Sequence, residues 1–182
     1  GTGAGIEVRP DDEILIRGNR AYTISVIENA SAPAALDVTI TDNQVYYKID
    51  VQTLTWGSNA VIANNNLTDL GVGIIVSSVG RFDIIGNTVH STVSTITATL
   101  DVHGEVSSIV ANRCYRANDT GANITISSAG AQVQVDGNVI QNGTYGVADV
   151  AVAHYTYTNN NTIIGVATAA TLNTTDNANY VR

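Results

Sequence analysis

The seven residues from Asp83 to Val89, with the sequence DIIGNTV, decide how this chain folds. Two isoleucines run into a Gly-Asn pair, and an apolar residue returns two positions after Asn87. A β-hairpin turn would give the same local pattern. A structural repeat is the other interpretation, and it requires the same boundary to recur at a nearly fixed period.

The boundary recurs along the whole chain. The asparagines that mark it are Asn19, Asn43, Asn65, Asn87, Asn112, Asn138 and Asn160, with Asn161 as a one-residue alternative for the last. Their spacings are 24, 22, 22, 25, 26 and 22 residues. A period in the twenties predicts a solenoid.

Two columns of mostly apolar residues flank these asparagines. Three positions before them stand Ile16, Ile40, Ile62, Ile84, Ile109, Val135 and Tyr157. Two positions after them stand Ala21, Val45, Leu67, Val89, Cys114 and Ile140, followed by Thr162 or, with the one-residue slip, Ile163. We expect both columns to face a core. Cys114, the only cysteine, is therefore interpreted as a small buried hydrophobe rather than a reactive thiol.

A second turn lies seven or eight residues before four of the asparagines, at Gly57, Gly80, Gly104 and Gly130. The segments between the turns are short and rich in β-branched residues, and none has a sustained helical stripe. Three short strands per repeat predict an all-β fold, a right-handed single-stranded parallel β-helix of about seven coils. We expect residues 1–182 to form one domain that is a fragment of a longer chain.

The recurrent asparagine has two expected roles. Asparagine tolerates the left-handed backbone region better than most residues, which suits a sharp turn. Its amide both donates and accepts hydrogen bonds, so asparagines stacked about 4.8 Å apart would bond to one another as a ladder.

Composition excludes several classes of protein. The net charge is −8, and no cluster of Lys and Arg appears, which argues against nucleic-acid and anionic-lipid partners. A single cysteine excludes an intrachain disulfide. The uninterrupted apolar runs are far shorter than the roughly 20 residues that a membrane helix needs.

The repeats IIGN, IVAN, VDGN and ITDN resemble those of the right-handed parallel β-helix superfamily typified by pectate lyases. The resemblance covers roughly residues 5–182. The composition, rich in Ser, Thr, Asn and Ala, is most similar to a bacteriophage tailspike or tail-fibre β-helix. This resemblance implies a homotrimer on the virion that recognises, and often cleaves, bacterial surface polysaccharide. The acidic calcium site and the arginine of pectate lyases have no match here. A polysaccharide-degrading enzyme and a bacterial surface adhesin, with an extracellular or cell-surface location, are the alternatives.

A column of outward residues lies three positions after the asparagines and contains several aromatic rings. Its members are Tyr22, Tyr46, Thr68, His90, Tyr115 and Gln141. Aromatic faces stack on sugar rings, so the column predicts a carbohydrate-binding track. A subunit interface or scattered surface tyrosines would give the same pattern.

Glycoside cleavage requires two carboxylates on either side of the scissile bond. Asp101 and Asp149 both stand eleven positions before a boundary asparagine, if Asn160 is used, and would lie two coils apart. His103 and Glu105 are close to Asp101. These four residues are the candidate catalytic group, with Asp42, Asp83 and Asp136 as alternatives that are more typical of turns and outward strand positions. No Cys/His spacing suggests a metal, and no cofactor motif is present.

Overall fold

The computed structural model describes residues 4–9, 12–29, 35–53, 57–69, 73–78, 80–92, 98–103, 106–117, 121–127, 132–149, 155–166, 168–171, 176–177 and 180–181. All regular secondary structure in these residues is β-strand. Every strand pair among them is parallel, which confirms the predicted all-β parallel solenoid.

The described residues form twenty-two strands, and all except β3 and β5 have five residues or fewer, as the short strands of the sequence prediction require. They are β1 (Ile6–Val8), β2 (Glu13–Arg17), β3 (Arg20–Ile27), β4 (Asp37–Thr41), β5 (Gln44–Thr53), β6 (Asn59–Ala63), β7 (Asn66–Asp69), β8 (Ile74–Ser78), β9 (Arg81–Ile85), β10 (Thr88–Ser91), β11 (Leu100–His103), β12 (Val106–Val110), β13 (Arg113–Arg116), β14 (Ala122–Ile126), β15 (Gln132–Asp136), β16 (Val139–Gln141), β17 (Tyr145–Asp149), β18 (Tyr155–Asn159), β19 (Thr162–Ile164), β20 (Thr168–Thr171), β21 (Asp176–Asn177) and β22 (Tyr180–Val181).

The strands form two sheets. The eight-stranded sheet has the order β2-β4-β6-β9-β12-β15-β18-β21, and each of its strands except β21 leads into a boundary asparagine. All other strands belong to a fourteen-stranded sheet. In the first coils the long strands β3 and β5 run without a break from one arm of this sheet into the other. From β8-β9-β10 to β20-β21-β22, five consecutive coils have three separate strands, so the number of such coils differs slightly from the seven predicted.

The two apolar columns face the core. The column before the asparagines pairs Ile16 through Val135 coil by coil, and these residues are buried. Its last member is Thr158, which pairs with Val135 and is fully buried. The prediction of Tyr157 for this place was wrong, because Tyr157 points outward and is 47% exposed. The second column runs from Ala21 to Ile163, with Cys114 buried as predicted.

The predicted asparagine ladder is present, and its buried side-chain amides both donate and accept hydrogen bonds. Asn87 is representative: its Oδ1 accepts from the backbone N–H and the Nδ2 of Asn65, at 2.9 and 3.0 Å. Its Nδ2 donates to Ile62 O at 2.8 Å and to Asn112 Oδ1 at 3.0 Å. Both donors and both lone pairs are thus satisfied inside the core, where an unpaired amide would be costly.

The last rung of the ladder is Asn161, not Asn160. Asn138 donates its backbone N–H and its Nδ2 to Asn161 Oδ1, each at 2.9 Å. Asn160 instead points outward and donates to Asp136 Oδ1 at 3.1 Å. The run of asparagines at 159–161 hides this slip of one residue in the sequence.

The left-handed turn residue is the one before each ladder asparagine, so the predicted backbone role of the asparagine itself was wrong. These residues have φ between 50° and 69°: Gly18, Asp42, Asn64, Gly86, Ala111, Gly137 and Asn160. The two tasks are therefore divided between adjacent positions. One residue adopts the left-handed turn, and the next directs its amide into the core.

Ala111 is the residue least suited to this turn, since a left-handed alanine costs about 1–2 kcal/mol. Its φ is 56°. Ala111→Gly is expected to raise the free energy of unfolding by about 0.5–1 kcal/mol, because the relief of strain exceeds the entropy cost of glycine. Urea titration followed by circular dichroism measures the change.

The matched control reverses the change at the equivalent place one coil later. Gly137 has φ 62°, and a Cβ there would meet no atom within 4 Å, so Gly137→Ala isolates the backbone cost. We expect this variant to lose stability by a similar amount. Two destabilised variants would show that the left-handed conformation does not decide stability at this turn.

Of the four glycines predicted to form the second turn of each repeat, two lie within the described residues. Gly57 has φ 87°, as a turn glycine should. At Gly80 the requirement is space: a Cβ would lie 1.8 Å from Ser58 O, a backbone atom that accepts a bond from Arg81 N. The predicted turns at Gly104 and Gly130 lie outside the described residues.

Candidate functional site

Part of the predicted outward column forms a continuous stripe on the strands that follow the ladder. Thr68, His90, Tyr115 and Gln141 lie side by side in β7, β10, β13 and β16. The rings of His90 and Tyr115 meet edge to face, with centroids 4.4 Å apart and planes at 80°. The column continues to Ile164 in β19.

A cleft of about 270 Å³ opens on this stripe. It is lined by two outward columns, and its floor is formed by the strands between them. Lining residues that point outward are Thr88, His90, Arg113, Tyr115, Val139 and Gln141. The volume is near the lower limit of roughly 300–1,000 Å³ for small-molecule sites, so it would hold one unit of a chain ligand rather than a large molecule.

The polar groups of the cleft are available for a ligand. Arg113 is exposed, and its guanidinium makes no hydrogen bond or ion pair with any other described residue. The hydroxyl of Tyr115 and the amide of Gln141 likewise have no side-chain partner among the described residues. An aromatic pair beside free donors and acceptors is the combination that recognises a hydroxyl-rich ligand.

At its amino-terminal end the stripe is interrupted. The pairing of β3 with β5 shifts register between Ala21 and Thr23, and this irregularity changes which rings meet. Tyr22 stacks on Tyr47, not on Tyr46, with centroids 5.4 Å apart and nearly parallel planes. Tyr46 accepts a hydrogen bond from Arg20, whose guanidinium also lies 5.1 Å from the tyrosine ring centroid. Tyr22 and Tyr46 are therefore engaged with protein groups, and the cleft is formed without them.

Asp101 and His103 lie on the outward face of β11, and His103 contacts a serine that the sequence did not single out. Asp101 Oδ1 is 3.4 Å from His103 Nε2. Ser127 Oγ lies 2.5 Å from Nδ1 and 3.0 Å from Nε2 of the same ring. His103 is paired with Ser127 because its neighbour Val102 pairs with Ile126. The cluster brings together a carboxylate, an imidazole and a hydroxyl at the surface.

The structure does not bring Asp101 and Asp149 into one column. Asp101 pairs with Thr125, whereas Asp149 pairs with Ile126. The two positions are therefore one residue out of register. The prediction assumed a constant distance from this column to the ladder, but Asp101 stands 11 residues before Asn112, whereas its partner Thr125 stands 13 residues before Asn138. Glu105 lies outside the described residues.

A different carboxylate shares the column of Asp101. Asp50 and Asp101 both pair with Ile75, one from each side, so they are separated by two strand spacings, roughly 9.6 Å. Asp50 is almost buried and forms an ion pair with Lys48 at 2.7 Å. The sequence could not reveal this pair, because Asp50 and Asp101 stand at different distances from their ladder asparagines.

Cys114 lies at the floor of the cleft but is not reactive. Burial raises the pKa of its thiol to about 12, although a hydrogen bond with Thr99 acts in the opposite direction. Since the thiolate is the nucleophile, the thiol is inert near neutral pH. This agrees with its interpretation as a core residue.

No group of three or more His, Cys, Asp and Glu side chains that could hold a metal ion occurs within the described ranges. Those ranges also contain no helix long and apolar enough to cross a membrane. In comparisons with known proteins, no family model, curated protein or solved structure matches this chain. The cleft and the Asp101 cluster are therefore the observations from which a function is argued.

Proposed function

We propose that this chain is a structural β-helix of a phage tailspike or tail fibre that recognises bacterial surface polysaccharide. The cleft of His90, Arg113 and Tyr115 carries the proposal. It combines an aromatic pair with unengaged polar side chains on a rigid parallel sheet. A site on strands is held in place better than a site on loops, which reduces the entropy lost when a flexible sugar chain binds.

The direction of the stripe suits a polymer. Its residues repeat once per coil, about 4.8 Å apart, along the axis of the solenoid. A glycan lying across the strands would meet Thr68, His90, Tyr115 and Gln141 in turn. Each contact is weak alone, but several along one chain add to a useful affinity.

Tyr115→Ala is expected to lower the affinity for a bound polysaccharide by about tenfold, since it removes the ring of the aromatic pair that the sugar would contact. Glycan arrays of purified capsular and O-antigen polysaccharides would identify the polymer, and calorimetry would give the affinities. Tyr157→Ala is the matched control, because Tyr157 is an exposed tyrosine on the eight-stranded sheet, away from the cleft. Equal affinities of the Tyr115 and Tyr157 variants would refute the cleft as the binding site.

The same tyrosine change tests the alternative that the stripe is a subunit interface. Light scattering of the two variants at high concentration reports the assembly state expected for a homotrimer. If Tyr115→Ala dissociates an oligomer and no array polymer binds the parent chain, the stripe is an interface and the glycan proposal fails.

Polysaccharide cleavage on the same scaffold is a second candidate, favoured by Asp50 and Asp101. Their separation of roughly 9.6 Å is close to the upper limit of about 9.5 Å for inverting glycosidases. His103 beside Asp101 adds a group able to transfer a proton. New reducing ends in the incubations with bound polymers would identify an enzyme, whereas their absence would leave recognition alone.

A further inference from the structure

Among the described residues that line the cleft, Arg113 and His90 are the only basic side chains, and none is acidic. Arg113 lies between Thr88 and Val139 in its column, and neither neighbour carries a charge. A guanidinium without a partner, on the wall of a concave site, is available for an anionic ligand.

The residues around Arg113 also leave it available for an anionic ligand. The column of Arg113 contains, in order, Arg20, Gln44, Asn66, Thr88, Arg113, Val139 and Thr162. The neighbouring outward column contains Thr68, His90, Tyr115, Gln141 and Ile164. Neither set includes a carboxylate, although the chain has 16 acidic residues and a net charge of −8.

This distribution has a consequence for an anionic polymer. The acidic remainder of the surface repels such a polymer, whereas the face around Arg113 does not. The same charges that discourage non-specific binding therefore direct the polymer to one face.

We infer that the cleft takes a glycan with carboxylate groups, that is, one containing uronic or other acidic sugars, and that Arg113 is the residue that selects it. This inference rests on the proposed function. The planar guanidinium donates two parallel hydrogen bonds to a carboxylate, a geometry that a lysine cannot reproduce. Tyr115 and His90 beside it contact the sugar ring.

The test uses purified uronic-acid-containing bacterial polysaccharides, each in its native form and after chemical reduction of its carboxyl groups to hydroxymethyl groups. The parent chain is expected to bind the native polymer about tenfold to a hundredfold more tightly than the reduced one, the range for a hydrogen bond to a charged group. Arg113→Ala is expected to bind both forms equally, since the two changes remove the same interaction. Arg113→Lys should regain only part of the preference.

Arg81→Ala is the matched control. Arg81 is also an exposed arginine, and it lies on the eight-stranded sheet, where it forms an ion pair with Asp83 at 3.4 Å. Its removal changes the net charge by the same amount and should leave the preference intact. If Arg81→Ala abolishes the preference as Arg113→Ala does, overall charge and not the cleft selects the polymer, and the inference is overturned.

The outcomes also separate this inference from the proposal beneath it. Binding that depends on Tyr115 but is indifferent to carboxyl reduction would keep the cleft as a glycan site and overturn the selection of acidic sugars. Absence of binding to any polymer by the parent chain would overturn both.

Discussion

Asn112→Ala is expected to lower the free energy of unfolding by about 3–5 kcal/mol, because four hydrogen bonds in a buried row are lost at once. Asn112 Nδ2 donates to Ile84 O at 2.8 Å and to Asn138 Oδ1 at 3.0 Å. Its Oδ1 accepts from the backbone N–H and the Nδ2 of Asn87, at 2.9 and 3.0 Å. After the change, the buried N–H of Asn87 loses its acceptor, and no water can replace it without entering the core.

Two other asparagines provide controls for this prediction. Asn19 begins the described ladder and is exposed, so Asn19→Ala should cost less than half as much. Asn160 lies outside the ladder, and Asn160→Ala should cost the strain of a left-handed alanine, about 1–2 kcal/mol, besides its exposed hydrogen bond to Asp136. Urea titrations of the three variants should show the largest loss at Asn112. Equal losses at Asn112 and Asn160 would contradict a cooperative buried ladder.

Phe82→Ala is expected to destabilise the fold by a comparable amount, about 3–5 kcal/mol, through the cavity it leaves. Phe82 is the single phenylalanine of the chain and is fully buried. It lies directly above Ala60 in the stack, and that small residue provides the space for the ring. Parallel strands on both sides hold the backbone in place, so the walls of the cavity can collapse only partly.

Phe82→Leu is the matched control and should cost no more than about 1.5 kcal/mol, because it keeps most of the volume. A double variant, Phe82→Ala with Ala60→Leu, should recover part of the loss if the two neighbours share one space. Thermal unfolding monitored by circular dichroism would report all three. A cost for Phe82→Ala no larger than for Phe82→Leu would mean that the coils close around the missing ring.

The fold was predictable from the sequence because the same pattern of apolar residues and asparagine recurs in every coil. A solenoid places equivalent residues in the same environment, so the prediction that Ile84 faces the core is supported by the apolar residues Ile62 and Ile109 at the equivalent positions. What the repeat could not show is which of two adjacent positions does which task. Glycine before asparagine at 86–87 is compatible with either residue in the left-handed turn, and only the φ angles assign it.

The candidate site was less predictable because its residues do not recur in every coil. His90 and Tyr115 were placed correctly in one column, since they follow the ladder at a fixed distance. Asp149 was misplaced, because the number of residues between this column and the ladder differs from coil to coil, so counting back from an asparagine does not give the register. Arg113 was overlooked, since a single arginine becomes informative only when its neighbours are known to be uncharged.

The ladder also gives the molecule a direction. In each rung from Asn43 to Asn138, the amide oxygen accepts from the preceding coil. The amide nitrogen donates one bond to the amide oxygen of the following coil and the other to a backbone carbonyl of the preceding coil. The amide dipoles consequently add head to tail, and each one polarises the next. The solenoid is thus an electrically polar rod with an oxygen-facing end near Asn19 and a nitrogen-facing end near Asn161. Anyone who joins this rod to another β-helix must match the polarity of the two amide rows as well as the register of their strands.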